Sequence, residues 1–209
     1  METLVEMKDI RKEFPGVVAL DQVSFDVKAG EVHLLLGENG AGKSTLMKIL
    51  SGIYTPTAGT IVMGGQEYPA LTPKKSKELG ISIIYQELSV VNELSIAENM
   101  FVGKLPTKKL LSFLPVVDKA AYMKQAEEAA RRVGLKKPVN TLVGDLSISE
   151  KQMVEIAKAL VENSKLLVMD EPTSSLTEEE TKNLQNIIRE LKAEGIGIVY
   201  ISHKMKELR

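Results

Sequence analysis

Cysteine and tryptophan are absent from the 209 residues, histidine occurs twice, and aromatic residues make up only 4% of the chain. Without cysteine there is no disulfide, no thiol nucleophile and no thiolate zinc site. His33 and His203 alone cannot build a histidine-rich metal centre. A charge excess is missing too: 27 basic residues against 28 acidic ones leave a net charge of -1, which gives no global pull toward nucleic acid. No run approaches the roughly eighteen apolar residues of a membrane-crossing helix. Met1 to Arg11 mixes acidic, basic and apolar residues without the hydrophobic core of a secretion signal. The expectation is a cytosolic protein that reaches a membrane only through a partner. What is present, 44% hydrophobic and 26% charged residues with 15 Gly and 8 Pro, fits an ordinary α/β domain with room for a small satellite.

Short apolar runs alternate with helical patterns, the signature of an α/β fold with parallel strands. Val23 to Val27, Val32 to Leu36, Ile81 to Tyr85, Leu166 to Met169 and Gly197 to Ile201 read as strands. Met153, Ile156, Ala157 and Leu160 fall on one helical face, as do Leu184, Ile187, Ile188 and Leu191. The second of these helices opens on a Thr177/Glu180 capping box and closes at Gly195. Between the third strand and Leu166 the pattern turns helical and Ala-rich. This divides the chain into a core, 1–86 with 162–209, and an inserted helical subdomain, 87–161. Within the insert, Lys104 to Val117 reads as irregular, a solvated surface loop bearing Lys108 and Lys109.

The clearest chemistry lies at Gly37-Glu38-Asn39-Gly40-Ala41-Gly42-Lys43-Ser44-Thr45, which fits G-x-x-x-x-G-K-[ST] between a strand and a helix beginning near Lys43. Glycines let the backbone curl so that successive N–H groups point inward at the positive end of a helix. Lys43 supplies a charge for the β and γ phosphates, and the Ser44 hydroxyl is placed to ligate Mg²⁺. A metal-binding acid is then expected at the end of a neighbouring strand, where Leu166 to Met169 leads into Asp170. Glu171 is the candidate to polarise an attacking water, by orienting it and accepting its proton.

With these motifs in order, the chain resembles the nucleotide-binding domain of an ABC transporter. The resemblance implies a P-loop NTPase core with an N-terminal antiparallel β subdomain, an inserted helical subdomain, and ATP with Mg²⁺ as ligands. It assigns Gln86 to the Q-loop, where it would also reach the metal. Leu146, Ser147, Ile148, Ser149 and Glu150 stand at the signature sequence, which acts on the nucleotide of a facing domain. Ser174, Ser175 and Leu176 are similar to the D-loop, His203 to the switch histidine, and Phe14 to the aromatic that stacks on adenine. Taken singly, Gln86 reads as a polar loop residue, His203 as a helix N-terminal residue and Phe14 as a core aromatic. Ser147 with Glu150, and Ser149 with Gln152, also read as helix caps.

A finer resemblance is to carbohydrate importers of the ribose and allose type. It rests on Gly30 to His33, Ile84 to Ser89, Met153 to Leu160 and Tyr200 to Lys204. It implies a tandem protein of which this chain is the first nucleotide-binding domain, seated on the cytoplasmic face of the membrane. The expected partners are the second nucleotide-binding domain, membrane-spanning permease subunits and, indirectly, a sugar-binding protein, with no nucleic acid. In similar tandem importers the second phosphate loop is degenerate. This sequence departs from the family at Ile148, Ser149 and Glu150, where Gly-Gly-Gln is common, and at Thr177, where the D-loop usually has Asp. It also ends six residues after His203, where the family's fold continues, so an N-terminal portion of a longer protein is expected. Two rival readings are a nucleotide-dependent regulatory module with little turnover and a non-transport ABC ATPase. The altered signature favours the first. The absence of a long heptad run between Lys43 and Asp170 counts against a coiled-coil repair ATPase.

Overall fold

A long antiparallel hairpin opens the chain, β1 (Thr3–Phe14) and β2 (Val17–Lys28), turning at Gly16 with φ 80°. The computed structural model describes residues 2–38, 40–110, 114–173 and 176–203. β1 buries Val5 and Met7 and then Ile10, because a bulge around Asp9 (φ 50°) moves the inward face by one residue. β4 (Ala58–Met63) and β5 (Gln66–Tyr68), joined by Gly64 and Gly65, complete a four-stranded antiparallel sheet in the order β2-β1-β4-β5.

The second sheet is parallel and orders β3 (Val32–Leu36), β10 (Gly197–Ser202), β9 (Leu166–Asp170) and β6 (Ile81–Ile84). Leu166 to Met169 and all of β10 are buried, as expected of parallel strands covered on both faces. α1 (Lys43–Leu50) follows β3 and sends Leu46, Met47, Ile49 and Leu50 into a core shared with Val5, Ile61, Val168 and Ile201. α2 (Pro73–Glu78) starts at Thr72, whose hydroxyl accepts from Lys75 N–H.

Helices dominate the stretch from 87 to 163. α3 (Ile96–Met100) is capped by a Ser95/Glu98 box, α4 (Lys119–Arg132) by Asp118, and α5 (Ile148–Val161) by a Ser147/Glu150 box. α4 buries Tyr122, Ala126, Ala129 and Ala130 and packs on α5. The stretch 104–117, expected to be irregular, carries two strands instead. β7 (Thr107–Leu110) and β8 (Leu114–Val117) pair antiparallel, with Pro115 opposite Lys109. A two-stranded ribbon tolerates proline because an outward position needs no N–H. α6 (Glu178–Ala193) opens on the Thr177/Glu180 box.

Two compact units result: Met1–Gln86 with Ser164–Ser174 and Ile188–Arg209, and Glu87–Asn163 with Ser175–Ile187. The part of α6 up to Ile187 thus groups with the helical unit, whereas the expected core took in all of 162–209. Among the described residues, no helix is long and apolar enough to cross a membrane.

Candidate nucleotide site

Parallel pairing brings distant motifs to one edge. Leu36 is level with Ser202, Asp170 with Ile201, and Ile84 with Met169. The loops leaving all four strands therefore emerge at one carboxyl edge, where open α/β sheets bind ligands.

After β3 the chain bends through the glycine-rich loop into α1. Gly42 has φ 84°, and a Cβ there would stand 2.7 Å from Leu20 Cδ2 and 2.8 Å from the Ala19 carbonyl oxygen. Only glycine lets the loop sit this close to β2. The Lys43 amine donates to the Gly37 and Glu38 carbonyls at 2.6 and 2.8 Å, folding the loop around its own cation. Ala41 N–H closes the turn onto the Glu38 carbonyl at 3.2 Å. α1 has no side-chain cap and no acidic residue in its first turn. Its N–H groups are thus left for an anion.

Against this loop lies a hollow of about 300 Å³. Gly40 to Thr45 form one wall, and Gln86, Asp170 and Glu171 form another. Val17, Val18 and Ala19 of β2 supply an apolar rim on which Val17 is 62% and Val18 51% exposed. The sequence reading did not identify these three. Their only signal was the apolar run Val17 to Leu20 directly after Pro15-Gly16.

Burial pushes the Asp170 carboxyl above its ordinary value, and repulsion from Glu171 adds to that. Lys43 and Lys48 pull the other way. Glu171 adopts φ 48°, a conformation that costs energy in a residue with a side chain, and its N–H donates to the Ile201 carbonyl at 3.0 Å. That twist brings Glu171 Oε1 to 2.6 Å from His203 Nδ1. The Tyr200 hydroxyl meets Thr173 Oγ1 at 3.2 Å and ties β10 to the segment following Glu171.

Ser44, Gln86 and Asp170 bring hard oxygen donors to the one hollow. Such a set suits Mg²⁺, which takes one or two carboxylates and completes its shell with water and phosphate oxygens. No cluster of three or more His, Cys, Asp or Glu able to hold a metal occurs among the described residues. The fit therefore rests on the mixed hydroxyl, amide and carboxylate set.

Phe14 is not on the wall of the hollow. Its ring packs edge-on against Tyr54, with centroids 5.3 Å apart, and the Lys12 amine lies 5.0 Å from its centre. It remains near the rim, because Phe14 is paired with Val17 across the hairpin.

The Leu146 to Glu150 segment belongs to the helical unit. Leu146 is buried and Ile148 is 58% exposed. Ser147 Oγ accepts from Glu150 N–H at 3.3 Å while the Glu150 carboxylate takes Ser147 N–H at 2.9 Å, so the charge at Glu150 is spent on the helix start. Ser149 Oγ lies 3.1 Å from Ser147 Oγ. Hydrogen bonds from Ser149 and then from Thr177 hold the Glu180 carboxyl below its ordinary range. Asn39, Ser174, Ser175 and Lys204 lie outside the described residues.

Known proteins share this arrangement. The family model "ABC transporter" matches residues 20–174. A ribose import ATP-binding protein of Rubrobacter xylanophilus is 48% identical over 208 residues, covering 100% of this chain and 41% of that protein. Another, from Streptomyces coelicolor, is 48% identical over 207 residues, 99% of this chain and 39% of its own length. The chain thus spans about two-fifths of the curated relatives it matches. Among solved structures, an ATP-binding cassette of an ABC transporter in its ADP conformation superposes with a TM-score of 0.87 at 27% identity, over 100% of this chain and 84% of the other. A nucleotide-free cassette gives 0.85 at 28%, over 99% and 83%.

Proposed function

The chain belongs to the ABC transporter family, and from that premise we propose that it binds ATP with Mg²⁺ and hydrolyses it to power import of a sugar of the ribose or allose kind. The observation that carries the reading is the meeting of Lys43, Gln86, Asp170 and Glu171 around one hollow on a parallel sheet edge. The loop N–H groups and Lys43 would hold the β and γ phosphates, with the amine leaving its two carbonyls for them. Ser44, Gln86 and Asp170 would hold Mg²⁺, which when bound neutralises charge on the phosphates. Glu171 would orient a water and accept its proton through the oxygen that His203 leaves open. With Nδ1 protonated, His203 donates to the other oxygen and keeps the carboxylate aimed. Phe14 would offer the base a stacking surface beside the Val17 and Val18 rim.

Relatives named for ribose import, and more than twice as long as this chain, support a tandem protein whose second nucleotide-binding domain faces this one. In that pair Leu146 to Glu150 would face the partner's phosphate loop. Permease subunits in the membrane and a sugar-binding protein complete the assembly. The test is sugar-dependent ATPase activity and uptake in vesicles holding the full-length protein with its permease. Hydrolysis without uptake of ribose or allose would remove the sugar assignment.

A second reading, a nucleotide-dependent module with little turnover, is favoured by Ser149 and Glu150 in the signature. Sustained multiple turnover of ATP by the full-length protein with its permease excludes it.

A further inference from the structure

The aromatic ring beside Phe14 has no part in the proposed chemistry, yet it is among the better anchored groups near the site. Tyr54 meets Phe14 at 5.3 Å between centroids and 74° between planes, the edge-to-face geometry that ring quadrupoles favour. Its backbone N–H donates to the Lys48 carbonyl at 3.0 Å, at the end of α1, and its side chain packs on the core. α1 begins at the phosphate loop, so Tyr54 is a fixed point relative to the phosphates. The other side is stitched as firmly. Thr57 N–H donates to the Arg11 carbonyl at 2.7 Å and Glu13 N–H to the Thr57 hydroxyl at 3.0 Å, binding the segment after Tyr54 to the strand end that carries Phe14. The Lys12 amine stands 5.0 Å from the centre of Phe14 and 5.9 Å from that of Tyr54, and donates to the Thr55 carbonyl at 2.9 Å. Lys48 lies 5.5 Å from the centre of the Tyr54 ring. Two rings and two amines thus form one cluster between the phosphate helix and the hairpin tip.

Resting on the reading of Phe14 as the surface for adenine, we infer that Tyr54 is a positioning residue for the nucleobase, fixing the Phe14 ring relative to the phosphate loop so that a purine can stack on it. A ring already ordered loses less freedom when the base arrives. Tyr54 therefore contributes to the base-dependent part of affinity and not to the phosphate-dependent part.

Calorimetric titration of the 209-residue chain with Mg·ATP and with Mg·tripolyphosphate, which has phosphates and no base, separates the two. Tyr54→Ala is expected to weaken ATP about three- to tenfold, the scale of one aromatic pair, and to leave tripolyphosphate unchanged. Tyr54→Phe, which keeps the ring, restores ATP. Tyr54→Leu keeps apolar bulk without an aromatic edge, and it carries the test if the alanine variant does not fold. Phe14→Ala should lose at least as much, and adding Tyr54→Ala to it should cost nothing further. Equal loss of ATP and tripolyphosphate in the Tyr54 variants would reduce Tyr54 to a packing residue and overturn the proposal, as would unchanged ATP binding. If Phe14→Ala leaves the preference for ATP over tripolyphosphate intact, the base rests elsewhere and the Phe14 reading itself falls.

Discussion

His203 Nδ1 lies 2.6 Å from Glu171 Oε1, although the two are 32 positions apart in the chain. The contact needs two unlike things: parallel pairing of β9 with β10, which levels Asp170 with Ile201, and a positive φ at Glu171 that turns the side chain back across the sheet edge. Glu171 is 16% exposed and His203 41% exposed, so one oxygen of the carboxylate is engaged at the mouth of the hollow. A strained backbone at a carboxylate in such a place is where function is expected to hold the strain.

Glu171→Gln tests the chemistry directly. The amide keeps size and hydrogen bonding but cannot take a proton. Mg·ATP binding should persist while single-turnover hydrolysis in the assembled transporter falls by about 10²-fold or more. Undiminished hydrolysis would move the base elsewhere, with His203 acting through water as the next candidate.

Lys43→Ala tests the loop. Anything that binds only the folded state stabilises it, by about 2.7 kcal/mol at a ligand concentration one hundred times Kd. Thermal melts of the wild type should rise with Mg·ATP, and those of Lys43→Ala should not. Equal responses would count against the loop as the phosphate site. Without ligand, the variant also loses the bonds from the amine to Gly37 and Glu38, so its baseline melt is recorded separately.

The parallel sheet was legible in the sequence, whereas of the antiparallel sheet only Val23 to Val27 within β2 read as a strand and the rest came from the family resemblance, for a physical reason. Leu166 to Met169 and Gly197 to Ile201 are continuous apolar runs because both faces are covered. In β1 the bulge at Asp9 breaks the alternation, putting Val5 and Met7 out of step with Ile10, and charged neighbours hide the strand. The β7–β8 hairpin was hidden in the same way by Pro115 and by Lys108 and Lys109. At the site, the loop, Asp170 and Glu171 could be placed because each follows a readable strand. The rim of Val17 and Val18, the twist at Glu171 and the Tyr54 contact depend on long-range pairing that no local pattern records.

Asp170→Asn should stabilise the protein without ligand. Burial and Glu171 raise this carboxyl above its unfolded value. Between the unfolded and folded pKa the native state binds more protons, so stability falls as pH rises through that window and stays lowered above it. The variant should melt higher than wild type at neutral pH by about 2 °C or more, the size of a modest stability change in a domain of this length. The gap should close as the pH falls through the carboxylate range. A gap of the same size at acid pH would show that charge is not the cause. Mg²⁺-dependent ATP binding should weaken in the same variant.

Two glycines of the loop should behave differently. Gly40 and Gly42 both have positive φ, but a Cβ at Gly40 meets nothing within 4 Å while one at Gly42 meets the Ala19 carbonyl at 2.8 Å. Gly40→Ala should cost about 1–2 kcal/mol, the left-handed penalty alone. Gly42→Ala should cost more and displace the loop from β2. Urea unfolding of the two variants checks the order, and equal costs would mean that the approach to Ala19 relaxes freely.

Ser147→Ala separates a structural role from a catalytic one. Its hydroxyl and the Glu150 carboxylate cap α5 reciprocally, so the chain itself should lose about 1 kcal/mol of stability. In the assembled transporter the proposed tandem pairing makes a stronger demand. The signature of this chain would serve the partner's phosphate loop, while Lys43, Asp170 and Glu171 serve the other site. Because Ser149 replaces a residue that lets backbone approach a phosphate, and Glu150 is already committed to its cap, the site facing this signature should contribute little turnover. Steady-state ATPase activity should then fall by less than about tenfold in Ser147→Ala and by several orders of magnitude in Lys43→Ala, differences of less than about 1.4 kcal/mol against several in barrier height. If Ser147→Ala is as damaging as Lys43→Ala, the two sites share the work equally and a serine at 149 is tolerated in a working signature.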